Sequence, residues 1–150
     1  MEQPRFQRSD AWIFVSLAFY QGEVGTSLRD LIATADYINH AIPSGDEIEG
    51  AINRLSSAEL VTIQGDYFYL TSAGRMLLSE LRTKRPTLLQ TWELVEERLH
   101  SVEFPELEVP AFKLKPEQFE AAKNSYQDLI LNTKEKPKRK KKLPQQDTGS

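Results

Sequence analysis

The sequence contains no cysteine, and that single absence excludes disulfides, thiolate chemistry and cysteine-ligated zinc. Histidine is nearly as scarce. Only His40 and His100 occur, and neither stands in a histidine–carboxylate spacing of a catalytic metal site. Each reads as a surface or helix-end residue, so no metal and no cofactor are expected. Asp36 and His40 lie one helical turn apart, but two ligands without a third make a poor metal site. Glycines are scattered, and neither Gly-x-Ser-x-Gly nor Gly-x-x-x-x-Gly-Lys occurs, which removes the usual nucleophile elbow and phosphate loop. The acidic cluster Glu93, Glu96 and Glu97 reads as the solvated face of a helix. With no nucleophile–base pair in view, a protein without enzymatic activity is expected. Long apolar runs are missing too, and residues 1–5 lack the basic-then-apolar layout of a signal peptide. A cytoplasmic protein without a membrane span is therefore the default expectation.

What is present is enough for one ordinary core. A chain of 150 residues, 39% hydrophobic and 27% charged, folds around one principal domain with room for a helical appendage. The net charge of −3 conceals a strong asymmetry. Residues 1–133 carry 12 basic and 20 acidic residues, whereas 134–142 carry seven basic residues and one acid. An acidic body is thus followed by a strongly basic segment.

Along the chain, residues 9–21 read as a helix that Ser9 or Asp10 can cap and Gly22 can end. Its apolar side chains lie on two faces, Ile13, Leu17 and Tyr20 on one and Trp12, Val15 and Phe19 on the other, so both sides need cover. Ser27 caps a second helix with Leu28, Leu31, Ile32, Ala35 and Ile38 in one stripe, and Pro43 prevents its continuation. Ser44 and Glu47 form a capping box for a third helix with the stripe Ile48, Ala51, Ile52 and Leu55. A hairpin follows, Val61 to Gln64 and Tyr67 to Leu70 around Gly65-Asp66. Alternation turns Phe68 and Leu70 inward, and Tyr67 and Tyr69 outward. Thr71-Ser72-Ala73-Gly74 then opens a fourth helix bearing Met76, Leu77, Leu78 and Leu81. After Pro86, read as a first helical residue, a fifth helix carries Leu88, Trp92, Val95 and Leu99 along one stripe. Residues 101–115, interrupted by Pro105 and Pro110, read as an arm laid on the body. Pro116 opens a sixth helix with Phe119, Ala122, Tyr126, Leu129 and Ile130 on one face, and order is expected to end near Asn132.

The order helix, helix, helix, hairpin, helix resembles the winged helix-turn-helix superfamily of bacterial transcriptional regulators. The resemblance rests on Arg54-Leu55-Ser56-Ser57-Ala58-Glu59-Leu60-Val61 and on Tyr69-Leu70-Thr71-Ser72-Ala73-Gly74. It implies a mostly α fold with a small β-hairpin: a winged-helix domain over residues 9–85, a helical extension over 86–133 and a disordered basic tail over 134–150. It also implies a double-stranded DNA partner, with the third helix in a major groove and the hairpin on the flanking backbone. The candidate DNA contacts are then Arg29, Asn53, Arg54, Tyr67, Tyr69 and Arg75. The tail residues Lys138, Arg139, Lys140, Lys141 and Lys142 would add sequence-independent attraction.

The charges disagree with that docking. Asp46, Glu47 and Glu49 crowd the start of the third helix, and Gln64-Gly65-Asp66 at the hairpin turn offers no cation to a phosphate. Acids there also suit the helix dipole. A second reading is therefore a protein-binding module that engages a partner through the third helix or the hairpin. The apolar residues Trp12, Phe19, Leu88, Trp92, Val95 and Leu99 either pair across a homodimer or cover one another within one chain.

Overall fold

The structure is a computed structural model. It describes residues 4–20, 25–81 and 86–142, with side chains as far as Asn132. Among the described residues it is mostly helical with one small antiparallel hairpin, as the sequence predicts. Gly22, read as the end of the first helix, lies outside the described residues, as do 143–150 of the tail.

The first helix, α1 (Arg8–Tyr20), begins earlier than Ser9 or Asp10, so neither is the residue before the helix. Asp10 still closes its first turn, because its Oδ2 accepts the Gln7 N–H at 2.9 Å. Residues 11 to 17 are all buried. That is what a helix with two apolar faces requires, and three elements supply the cover: α2 (Leu28–Asn39), α3 (Gly45–Ser57) and α5 (Leu88–Ser101). The expected stripes are the buried ones, Leu31, Ile32 and Ala35 on α2 and Ile48, Ala51, Ile52 and Leu55 on α3. Trp12 and Trp92 stack with ring centroids 5.7 Å apart. Their indole N–H groups donate to main-chain oxygens, Trp12 to Ala35 at 3.0 Å and Trp92 to Arg8 at 3.1 Å. With Val95 and Leu99 also buried, the second face of α1 is spent on α5 of the same chain. Trp12, Trp92, Val95 and Leu99 are therefore packing residues here, while Leu88 is half-buried and Phe19 is exposed against Tyr37. Thr87 caps α5 in a reciprocal box with Gln90, which places Pro86 one residue before the cap and outside the helix.

Strands β1 (Val61–Gln64) and β2 (Tyr67–Leu70) pair antiparallel, Ile63 opposite Phe68 and Gln64 opposite Tyr67. Gly65 alone takes positive φ in the two-residue turn (62°), as a type II′ connection requires. On the free side of β2, Thr26 and Phe68 exchange both main-chain bonds at 2.9 Å. A single paired residue carries no alternation, so the sequence held no sign of it. Phe68 is buried and Leu70 half-buried, but Tyr69 is half-buried too instead of facing out. Its ring lies over Gly25, where an added Cβ would come within 2.6 Å of it.

The two stretches that carry the family resemblance meet each other. At the end of α3, Leu60 donates to Leu55 O and Glu59 to Ser56 O, both at 3.0 Å, with Glu59 left-handed at φ 67°. This is the double closure that normally selects glycine. Thr71 caps α4 (Ser72–Ser79): its Oγ1 accepts the Gly74 N–H at 3.0 Å and donates to Glu59 O at 2.6 Å. An added Cβ on Gly74 would stand 2.4 Å from Leu60 O, so the corner closes only around glycine. We expect Glu59→Gly to stabilise the fold by about 1 kcal/mol in urea unfolding, because it removes the left-handed penalty of a side chain.

The sixth helix, α6 (Pro116–Lys142), starts at Pro116 as read and packs along α2. Its backbone runs past Asn132, where the sequence predicts order to end, through the lysine-rich segment and across Pro137 to Lys142. The side chains of Lys138, Arg139, Lys140, Lys141 and Lys142 lie outside the described residues. On the described part, Tyr126 is buried and donates its hydroxyl to Asp36. Burial first, then the hydrogen bond and charge of Asp36, push the Tyr126 phenol up to about 12 from 10.0. An acid whose pKa is raised on folding stabilises the fold while protonated and loses that contribution as pH climbs through the folded value. Stability should therefore hold steady up to about pH 10 and fall between about 10 and 12. Tyr126→Phe should flatten that decline in unfolding curves followed by circular dichroism across the pH range.

Candidate interface on the third helix and the hairpin

The six side chains proposed for DNA contact do not gather on one face. Arg54 turns toward α1, where Nε and Nη2 grip the Asp10 carboxylate at 2.7 and 3.0 Å. Asp10 is fully buried and Arg54 only partly exposed. Gly50 leaves room for this, since a Cβ there would lie 2.7 Å from Arg54 Nη2. Arg54 is thus the counter-ion of a buried acid, which corrects its reading as a free phosphate or base contact. The reason is distance in sequence: the pair spans 44 residues.

Asn53 is spent as well. Its Nδ2 donates to Phe112 O at 3.0 Å and its Oδ1 accepts the Phe112 N–H at 2.7 Å. Phe112 belongs to the arm, residues 103–115, which holds neither helix nor strand. The arm runs antiparallel to α3 and meets it repeatedly. Ser57 O accepts the Leu107 N–H at 2.8 Å, and Ser57 Oγ donates to Leu107 O at 3.0 Å. Glu49 accepts the Leu114 N–H at 2.8 Å. A Cβ on Gly45 would sit 3.6 Å from the Phe119 ring and 3.8 Å from Leu114. Residues 45, 49, 53 and 57 recur every four positions and so form one face of the helix. That face is covered by the chain's own arm.

Arg5 pins the other end of the arm, donating to Phe104 O at 2.9 Å and to Pro105 O at 2.6 Å. Phe112 reaches the hairpin, its ring edge-on to Phe68 at 5.5 Å. Neither Arg5, Glu49, Ser57 nor Phe112 stands out in the sequence as an interface residue. The available sign was the small and polar series Gly45, Glu49, Asn53, Ser57, a stripe without phosphate-seeking cations.

The remaining candidates fall into two places. Arg29 and Tyr67 border a groove of about 810 Å³ between the start of α2, the hairpin and α6, with Leu28, Ile63, Phe68 and Leu114 in its walls. At one end the hydrogen bond to Asp30 and the charge of that acid raise the Tyr20 phenol above its ordinary value. Tyr69 and Arg75 border a smaller cleft of about 170 Å³. Arg75 is engaged there, donating to Leu70 O at 3.0 Å and Ser72 Oγ at 3.2 Å. Among the described residues no cluster of three metal-ligating side chains occurs, and no helix is long and apolar enough to cross a membrane.

Compared with known proteins, the chain matches no protein-family model, no curated protein and no solved structure. Replacing Arg54 by alanine leaves a buried carboxylate that keeps, among the described residues, the Gln7 N–H, and should cost about 3–5 kcal/mol in urea unfolding. The double variant Asp10→Leu, Arg54→Met should recover most of that loss.

Proposed function

We propose that this chain is a winged-helix interaction module without enzymatic activity, which binds another protein through the α3 and hairpin side. The basic segment 134–142 adds sequence-independent attraction to nucleic acid or anionic surfaces. The observation that carries this reading is the covered face of α3. A base-reading helix needs an open face with free Asn, Gln or Arg side chains. Here Asn53 holds the arm, Arg54 holds Asp10, and Glu49 receives an arm amide. Beside the covered face, the first turn of α3 carries exposed Asp46 and half-buried Glu47, whose charge opposes a phosphate backbone.

The test is binding of duplex DNA by the full chain over a salt series, beside a full-length variant in which the seven basic residues of 134–142 are glutamine. The wild-type chain should bind without sequence preference, with log K falling at a slope of about −6 against log salt if all seven cations engage. The glutamine variant should lose that binding. A sequence-preferring footprint that survives in the variant and weakens on Arg29→Ala would return the chain to the transcription-regulator reading.

A further inference from the structure

The contact between the arm and α3 has an unusual division of labour. From α3 come mainly side chains: the Asn53 amide, the Glu49 carboxylate and the Ser57 hydroxyl. From the arm comes only main chain, the N–H and C=O of Leu107 and Phe112 and the N–H of Leu114. A surface that bonds main chain reads the conformation of a peptide rather than its polar side chains. Between Phe112 and Leu114 the arm advances two residues while α3 advances four, about 6 Å, or about 3 Å per arm residue, the rise of an extended strand, whereas from Leu107 to Phe112 five residues cover the same span, so the extended stretch is 112–114. The two-bond pairing at Asn53 needs an N–H and a C=O of one residue that are both free. A helix interior has already used both, and adenine's equivalent pair, N6–H and N7, is kept from Asn53 by the arm that covers it. An extended peptide fits.

Selectivity then falls to the two side chains that turn inward at this register. Phe112 packs on Phe68, and Leu114 packs beside Gly45. The hold is shallow: from 103 to 115 only Phe104, Val109, Phe112 and Leu114 are half-buried, and none is fully buried. A segment with few buried apolar contacts and hydrogen bonds that are at most part-buried opens locally, well below global unfolding. Phe112 and Leu114 also line the open groove of about 810 Å³, so an incoming segment has space beside the seat.

We infer that the outer face of α3 is a docking site for an extended Phe-x-Leu segment of a partner protein, and that residues 104–114 fill it in cis until such a segment displaces them. This deepens the interaction-module reading and rests on it. The intramolecular arm competes at an effective concentration of order millimolar, and a trans peptide binds only the open fraction. Loosening the arm must therefore strengthen binding in trans.

The probe is a fluorescent peptide of residues 103–115, titrated by anisotropy into the full chain. Wild type should bind it weakly, and the full-length Phe112→Ala variant about tenfold more tightly, as the open fraction rises. The same peptide with alanine in place of Phe112 should not bind, and adding Asn53→Ala to the variant should abolish the gain. Equal affinity for wild type and a folded Phe112→Ala variant overturns the inference. Should that variant not fold, hydrogen exchange of wild type decides. The Leu107, Phe112 and Leu114 amides should exchange about tenfold or more faster than those of Ile52 and Leu55, and equal protection sinks the proposal. The DNA measurement is independent of these readouts, so failure of the peptide site and failure of the interaction-module reading give different results.

Discussion

A fully buried carboxylate at the start of α1 must keep a cation beside it, and Arg54 of α3 is that cation. An isolated ion in such surroundings is strongly disfavoured, so the pair forms with good geometry or the helices do not meet in this way. Its two parallel bonds fix the rotation of α3 about its own axis as well as its distance from α1. With Arg54 turned inward and Ile48, Ala51, Ile52 and Leu55 in the core, the stripe Gly45, Glu49, Asn53, Ser57 has only one direction left to face. The arm is laid down on what that rotation exposes. Asp10 also holds the Gln7 amide, and Arg5, two residues earlier, grips the arm's first carbonyls. One buried charge thus organises both ends of the interface.

Much of this fold was legible because its signals are local. Capping boxes, apolar stripes and the hairpin turn are each read within a few residues, and the structure places Ser27, Ser44 and Thr71 at helix starts accordingly. The demand for cover on both faces of α1 was legible too, and of the two covers the sequence offered, a second copy or the fifth helix, it is α5 that packs there in this chain. What stayed hidden is long-range. Arg54 looks like a free cation until Asp10, 44 residues away, is seen beneath it, and Asn53 looks like a base reader until Phe112, 59 residues away, takes its amide. A sequence shows that a polar side chain has bonds to make. It does not show with which segment.

The two charged regions of the chain serve different physics. Several acids in the body are tied into caps and specific bonds, as with Glu47 at Ser44 and Glu49 at Leu114, so what those bonds fix is geometric and largely indifferent to salt. The cations of 134–142 continue α6 beyond the side chains that pack on α2, and long-range attraction of that kind is screened within about 10 Å at 0.1 M salt. Association through this protein would therefore combine a screened, permissive approach with a salt-tolerant, directional seat.

The stacked indoles have a practical corollary. Both tryptophans of the chain lie in the contact between α1 and α5, with Trp12 also bonded to Ala35 of α2, so intrinsic indole emission is a gauge of the packing around that contact. Departure of the arm from α3 would leave the emission spectrum almost untouched, whereas undocking of α5 would shift it at once. The protein carries its own optical reporter for the integrity of its core, insulated from events at its binding face.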